Sequence, residues 1–212
     1  MRKIVLFFIL FLSINSIHAQ IKFSDFIDEF TVSINQALSS NKKQKNTGFG
    51  LGVYHTISPS SYLNILVGFE YNRVNQFYNT NYSSHFDSKS NEYFRLNFIS
   101  FPIQLRIKGS LGSHNEMFFS PGVYLDLAQK SRAEYDYHSV VVKNNVPTYY
   151  SGHLYENAGS NQVGISLGTG MKFKKLKHDY LIHLDLKIPV MKLINEVFAS
   201  YLRLSLGMSL KK

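Results

Sequence analysis

Apolar residues recur at every second position along most of the chain. The clearest stretch spans residues 163–173, where Val, Ile, Leu, Thr, Met and Phe alternate with Gly, Ser and Lys. A period of two is typical of a β-strand with one apolar face and one polar face. Eight such stretches predict eight strands, at residues 30–35, 48–53, 63–72, 94–108, 117–126, 163–173, 180–188 and 201–208.

The fourth of these stretches changes phase along its length. Phe94, Leu96 and Phe98 share one face, but the next apolar set starts at Phe101. A slip of one residue just before Pro102 predicts a β-bulge, since a proline within a strand is best tolerated there. Phe98 and Phe101 are therefore both expected on the apolar face.

The connections between the predicted strands alternate in length. Those at residues 58–61, 109–115 and 175–178 are short, whereas those at 76–91 and 132–161 are long and polar. Outer-membrane barrels have short periplasmic turns and long outer loops. The sequence therefore predicts an all-β fold: an eight-stranded antiparallel up-and-down transmembrane β-barrel, with both termini on the periplasmic side.

Period two does not by itself say whether the apolar faces point towards lipid or towards a core. A soluble, lipocalin-like periplasmic carrier, with apolar residues inside, is the alternative. Glycines crowd the polar faces, which suits a narrow lumen, and the polar-face charges have both signs. We therefore expect a barrel without an open pore, filled by a structural polar network of Glu70, Arg95, Arg106, Asp126, His183, Asp185, Lys187 and Arg203.

The N-terminus has the layout of a secretory signal peptide. A basic start at residues 1–3 precedes an unbroken apolar run at residues 4–12 and a short polar stretch that ends at Ala19. We expect cleavage after Ala19, which divides the chain into a signal peptide at residues 1–19 and a barrel domain at residues 20–212. The signal peptide predicts export, and together with the predicted barrel it indicates an outer-membrane location.

The composition excludes several kinds of chemistry. The chain has no cysteine, and therefore no disulfide, thiolate metal site or cysteine nucleophile. Its formal net charge is +9, but the basic residues are scattered and do not form the stripe that nucleic-acid binding requires. We expect no catalytic residue, no cofactor, no metal and no nucleic-acid partner.

An enzymatic alternative rests on polar residues of the predicted lumen. His183 and Asp185 lie two positions apart on one face, and Asp126 lies on the polar face of another strand. A carboxylate beside a histidine is the arrangement of a general base, so the alternative function is a membrane-embedded hydrolase or acyltransferase. No serine is spaced along the sequence to complete such a site, which favours a structural role.

The loop at residues 132–161 is the candidate partner-binding surface, because clustered tyrosines make large and rigid contact areas. An aromatic belt at the headgroup level is the other interpretation of these tyrosines, and the sequence leaves both open. The tyrosines are Tyr135, Tyr137, Tyr149, Tyr150 and Tyr155. We expect a monomer that contacts outer-membrane lipid and lipopolysaccharide, the latter through Lys42, Lys43 and Lys45, and an envelope or secretion-system protein.

Several stretches resemble the small outer-membrane β-barrel proteins of Bacteroidota, often called PorT-like. They are the signal-peptide end at residues 18–20, the proline-containing strand at 99–106, the glycine-rich strand at 163–170 and the last strand at 204–208. The resemblance implies an outer-membrane location and, for the namesake members, a part in protein secretion across that membrane.

Overall fold

The computed structural model describes residues 26–38, 46–78, 82–83, 87–112, 114–143, 146–157, 159, 161–174, 178–192 and 199–210. The predicted signal peptide and the three lysines at 42, 43 and 45 lie outside the described residues. The described residues form eleven strands: β1 (Glu29–Ala37), β2 (Thr47–Ser60), β3 (Leu63–Tyr78), β4 (Tyr82–Ser83), β5 (Asp87–Leu111), β6 (Asn115–Ala128), β7 (Arg132–Lys143), β8 (Val146–Asn157), β9 (Gln162–Phe173), β10 (Asp179–Lys192) and β11 (Tyr201–Ser209). Within the described ranges, no helix is both long and apolar enough to cross a membrane.

Eight of the strands close into a barrel. The order around it is β1, β2, β3, β5, β6, β9, β10, β11 and back to β1, and every neighbouring pair is antiparallel. The first and last strands pair directly, from Glu29 opposite Ser209 to Ala37 opposite Tyr201. The eight-stranded antiparallel barrel predicted from the alternation is therefore confirmed. We call the end near Glu29 and Ser209, which also carries the short turns, the terminal end, and the opposite end the outer end.

The apolar side chains point away from the barrel axis. Ile103 on β5 is 51% exposed, whereas its neighbour Gln104 is 2% exposed. The same contrast holds around the barrel, and the exposed apolar belt includes Phe30, Val32, Ile34, Leu51, Phe69, Phe101, Ile103, Met117, Phe119, Ile165, Leu167, Ile182, Leu184, Leu204 and Leu206. An apolar surface of this extent is unfavourable in water and favourable in contact with lipid. The orientation is that of a membrane barrel and excludes the soluble carrier.

The β-bulge predicted before Pro102 is wrong. The pairing of β5 with β6 keeps one register from Phe98 opposite Ala128 to Leu111 opposite Asn115. Phe98 is fully buried and Phe101 is 42% exposed, so the two rings lie on opposite faces. The apparent phase change arises because the inward face of β5 itself becomes apolar towards the outer end.

The two long connections are mostly strand. At the outer end β3 continues to Tyr78 and β5 starts at Asp87, where the sequence predicts a loop. The first part of β5 pairs with β7, from Asp87 opposite Ser139 to Arg95 opposite Arg132. β8 pairs with β7, so that a hairpin extends the sheet beyond the barrel. Valine and tyrosine, which are frequent in this hairpin, favour strands.

Candidate functional site

The centre of the lumen is an ion cluster built around one carboxylate. Glu70 Oε1 lies 2.5 Å from Arg203 Nη1, and Glu70 Oε2 lies 2.6 Å from Lys187 Nζ. All three side chains are fully buried. They come from β3, β11 and β10, so the cluster crosses the barrel and links β3 to two strands that are not its neighbours.

Polar side chains of the first two strands complete the coordination of this cluster. Arg203 donates from Nε to Ser33 Oγ at 3.2 Å and from Nη2 to Thr31 Oγ1 at 3.1 Å. The Tyr54 hydroxyl donates to Glu70 and accepts from Arg203 Nη1 at 2.7 Å. Hydrogen bonds of this kind offset part of the desolvation cost of buried charges.

Glycines on the inward face make room for these long side chains. A Cβ at Gly52 would stand 3.0 Å from Arg203 Nη2 and 2.8 Å from Thr31 Oγ1. A Cβ at Gly164 would stand 2.4 Å from the Tyr124 hydroxyl oxygen. Because real Cβ atoms do not approach so closely, a larger residue at either position displaces the network.

A second polar group lies beside the ion cluster. Gln104 Nε2 donates to Asp185 Oδ2 at 3.3 Å, and Gln162 Nε2 donates to Asp126 Oδ2 at 2.9 Å. His183 packs against the Phe118 ring, with the ring centroids 5.3 Å apart. Both aspartates are fully buried, and His183 is 4% exposed.

The structure adds a serine that sequence spacing did not reveal. Ser205 on β11 is the register partner of His183 on β10, and both lie on the inward face. Residues so far apart in the chain meet only through strand pairing, so no local pattern predicts their proximity. Ser205 and Asp185 are fully buried, and His183 is 4% exposed.

An apolar layer closes the lumen towards the outer end. Leu96 and Phe98 on β5 are fully buried against Val74 and Tyr201. Ala133 of β7 belongs to the same cluster, so the base of the hairpin packs over this layer. With the ion cluster below it and this layer above, the lumen is a packed interior.

The terminal end holds a polar cavity of about 470 Å³. Arg106 Nη1 lies 2.6 Å from Glu29 Oε1 at its inner side, and both side chains are 4% exposed. The more exposed ion pairs at the rim join Lys172 to Asp179 at 3.2 Å and Lys174 to Glu116 at 2.7 Å. Charged pairs therefore lie both at the inner side of the cavity and at its rim.

Seven of the eight residues expected in the lumen network are buried on the inward face. They are Glu70, Arg106, Asp126, His183, Asp185, Lys187 and Arg203. Arg95 is the exception, and its expected place in the lumen is wrong. It shares the outward face of β5 with Tyr93, and its Cζ lies 5.9 Å from the Tyr93 ring centroid. The error follows from the assumed bulge, because a continuous strand turns residue 95 outward.

The five tyrosines of the predicted loop at residues 132–161 lie at different positions on the hairpin. Tyr149, Tyr150 and Tyr155 are 77%, 50% and 59% exposed. Tyr137 is half-buried and lies against Gly152. Tyr135 is buried, and its hydroxyl donates to Glu156. Three of the five rings are therefore open to contact.

Within the part of the chain that the structure describes, no three His, Asp or Glu side chains are grouped to hold a metal ion.

Of the comparisons with known proteins, the one with solved structures found similar proteins. No protein-family model matches the sequence. No curated protein matches it either. The structure is similar to that of Neisserial surface protein A (TM-score 0.50, 12% identity, 87% of this chain and 96% of that chain covered). It is also similar to a major outer membrane protein from Thermus thermophilus (TM-score 0.47, 13% identity, 85% and 97% covered).

At 12% identity, the similarity to Neisserial surface protein A shows the fold alone. Together with the closed strand order and the exposed apolar belt, it defines the class of protein. The chain is a small eight-stranded transmembrane β-barrel of the outer-membrane type.

Proposed function

We propose that the protein resides in the outer membrane, has no open pore, and acts as a binding or scaffold component of a secretion or cell-envelope assembly. The observation that carries this proposal is the hairpin β7–β8. Every side chain of β8 is exposed, and β8 lies at one edge of the sheet path among the described strands. A barrel that only anchors itself has no need of such a projection.

The position of the exposed tyrosines favours partner binding over an aromatic belt. Asn157 pairs with Arg132 at the base of the hairpin, and Tyr150 lies about 24 Å further along the strand. The headgroup region is only about 5–8 Å deep on each side of a bilayer. Tyr149 and Tyr150 thus belong to a surface beyond the headgroups, whereas Tyr155 is near the base.

The chemistry of the hairpin tip suits a protein partner. Val142, 53% exposed, shares one face of the hairpin with Tyr149, and Val141 and Val146, 49% and 62% exposed, share the other face with Tyr150. An exposed patch of valine and tyrosine is typical of a protein contact surface, since it offers apolar area with little conformational entropy to lose.

The closed lumen supports binding over transport or catalysis. The ion cluster and the apolar layer fill the interior, and an eight-stranded barrel has no spare width for solutes. The burial of His183 and Asp185 supports a structural role for them rather than that of a hydrolase or acyltransferase.

The resemblance to PorT-like barrels supports the choice of assembly. It rests on the proline-containing strand, which is part of β5, and on the glycine-rich strand, which is β9. We therefore propose that the protein belongs to that family and takes part in secretion.

Photo-cross-linking in intact cells tests the binding role. A photoreactive phenylalanine in place of Tyr149 is expected to give a discrete protein adduct. The matched control is the same residue in place of Tyr62, which is 68% exposed at the terminal end. An adduct at Tyr149 but not at Tyr62 supports the proposal. The same adducts at both positions, or no adduct at Tyr149 in the folded protein, would contradict it.

A further inference from the structure

Three arginines lie together on the outward surface near the outer end. Arg95 of β5 is the register partner of Arg132 of β7, and Asn75 of β3 is its partner on the other side. Arg73 lies two residues before Asn75, opposite Asn97, and therefore diagonal to Arg95 at about 7–8 Å between Cα atoms. We call Arg73, Arg95 and Arg132 the outer arginine cluster.

Each guanidinium of the cluster is placed over an aromatic ring. The Cζ atoms of the three arginines lie 5.7–6.0 Å from ring centroids. Arg73 is placed over Phe49, Arg95 over Tyr93 and Arg132 over Tyr155. A cation–π contact at this distance attracts the guanidinium to the ring without using its N–H groups, which can then bind an anion.

None of the described carboxylates forms an ion pair with the cluster. Among the described residues, no carboxylate oxygen lies within 4.0 Å of any of the three guanidinium groups. The buried Nε atoms of Arg73 and Arg95 have no hydrogen-bond partner there either. Glu134 shares the outward face of β7 with Arg132 and does not pair with it. Like charges directly opposite each other across two strands are destabilising, and a bound anion would relieve the repulsion.

The height of the cluster matches the headgroup layer of the outer leaflet. The outward apolar run on β5 extends from Ile107 to Ile99, about 27 Å along the strand, or about 21 Å of height at a tilt near 40°. Arg95 lies about 10 Å above Ile99 by the same measure. The apolar band of an outer-membrane barrel is about 25 Å tall and so ends about 2 Å beyond Ile99, which puts Arg95 about 8 Å above the hydrocarbon, at the outer limit of the headgroup layer. The apolar belt below is where the acyl chains of a lipid would pack.

We propose that the outer arginine cluster is a binding site for the phosphorylated headgroup of an outer-leaflet glycolipid. The arginine forks would hold a phosphate by paired charge-assisted hydrogen bonds, and the acyl chains would lie on the belt near Phe69 and Phe101. The site rests on the proposed outer-membrane location, but not on a protein partner of the hairpin.

Native mass spectrometry of the folded protein in dodecyl maltoside micelles tests this site. Titration with diphosphoryl lipid A is expected to give one retained lipid per barrel. Arg95→Gln combined with Arg132→Gln should weaken that binding at least about tenfold, because two charged forks are lost. The matched control is Lys108→Gln with Lys174→Gln, which removes the same charge at the terminal end and should leave the binding unchanged.

Two further arms identify the ligand. Digalactosyl diacylglycerol, a glycolipid without phosphate, and inorganic phosphate, which has no acyl chains, are each expected to bind much more weakly than lipid A. Equal binding of either one would overturn the assignment, as would equal binding of lipid A to both double variants. A failure here leaves the cross-linking result at Tyr149 unaffected, so the two proposals are tested separately.

Discussion

Replacing Glu70 by glutamine is expected to destabilise the barrel by about 3–5 kcal/mol, because the change leaves two buried cations without a counter-charge. Arg203 and Lys187 both pair with this one carboxylate, and none of the three side chains has contact with water. Glutamine keeps the shape but not the charge. The free energy of unfolding, measured by urea titration of the refolded protein in lipid vesicles, shows the loss.

The control for this variant is the same chemical change at an exposed ion pair. Glu116 pairs with Lys174 at 2.7 Å, with the lysine side chain 49% exposed, so Glu116→Gln should cost less than about 1 kcal/mol. Adding Lys187→Met to Glu70→Gln should restore part of the lost stability, since one unpaired cation is then removed. Equal unfolding free energies for Glu70→Gln and Glu116→Gln would show that the cluster does not stabilise the barrel.

The second large effect is expected on the lipid-facing surface. Ile103 lies in the middle of the apolar run on β5 and is 51% exposed. Ile103→Arg should destabilise the barrel in a bilayer by about 2–4 kcal/mol, since the charge enters the hydrocarbon near the midplane. Unfolding titrations in vesicles measure this loss.

Tyr62→Arg is the matched control, because Tyr62 is also an exposed side chain but lies in the turn between β2 and β3. Outside the hydrocarbon the same charge should cost between zero and about 1 kcal/mol. If Ile103→Arg were no more destabilising than Tyr62→Arg, the apolar belt would face water rather than lipid.

The eight barrel strands were predictable because each is buried on one face and meets lipid on the other. That one-sided environment imposes a period of two, and the alternation at residues 163–173 therefore matches β9 at Gln162–Phe173. The hairpin strands lack this signal. β8 is exposed on both faces, so apolar and polar residues do not alternate along it and the sequence predicts a loop there.

The error on β5 has a different cause. Phenylalanine and leucine suit the apolar layer inside the barrel as well as a lipid-facing surface. Residue type therefore did not reveal that Phe98 points inward while Phe101 points outward. The assumed bulge also places Arg95 on the inward face, so the sequence does not predict the outer arginine cluster.

Local sequence patterns also do not predict which charged side chains pair inside the lumen. Glu70 and Arg203 are 133 residues apart, and Glu70 and Lys187 are 117 residues apart. Charges of both signs on the polar faces indicated that neutralisation would occur. Which charges meet is decided by barrel closure and strand register, which depend on the whole chain.

Quenching of single tryptophans by brominated lipid tests most directly which way the faces of β5 point. The natural sequence has no tryptophan, so Phe98→Trp and Phe101→Trp each introduce one fluorophore in place of a similar ring. In vesicles that contain dibrominated phosphatidylcholine, the fluorescence at position 101 is expected to be strongly quenched and that at position 98 weakly. Stronger quenching at position 98, or equal quenching at both, would contradict a barrel whose apolar belt faces lipid around a closed lumen.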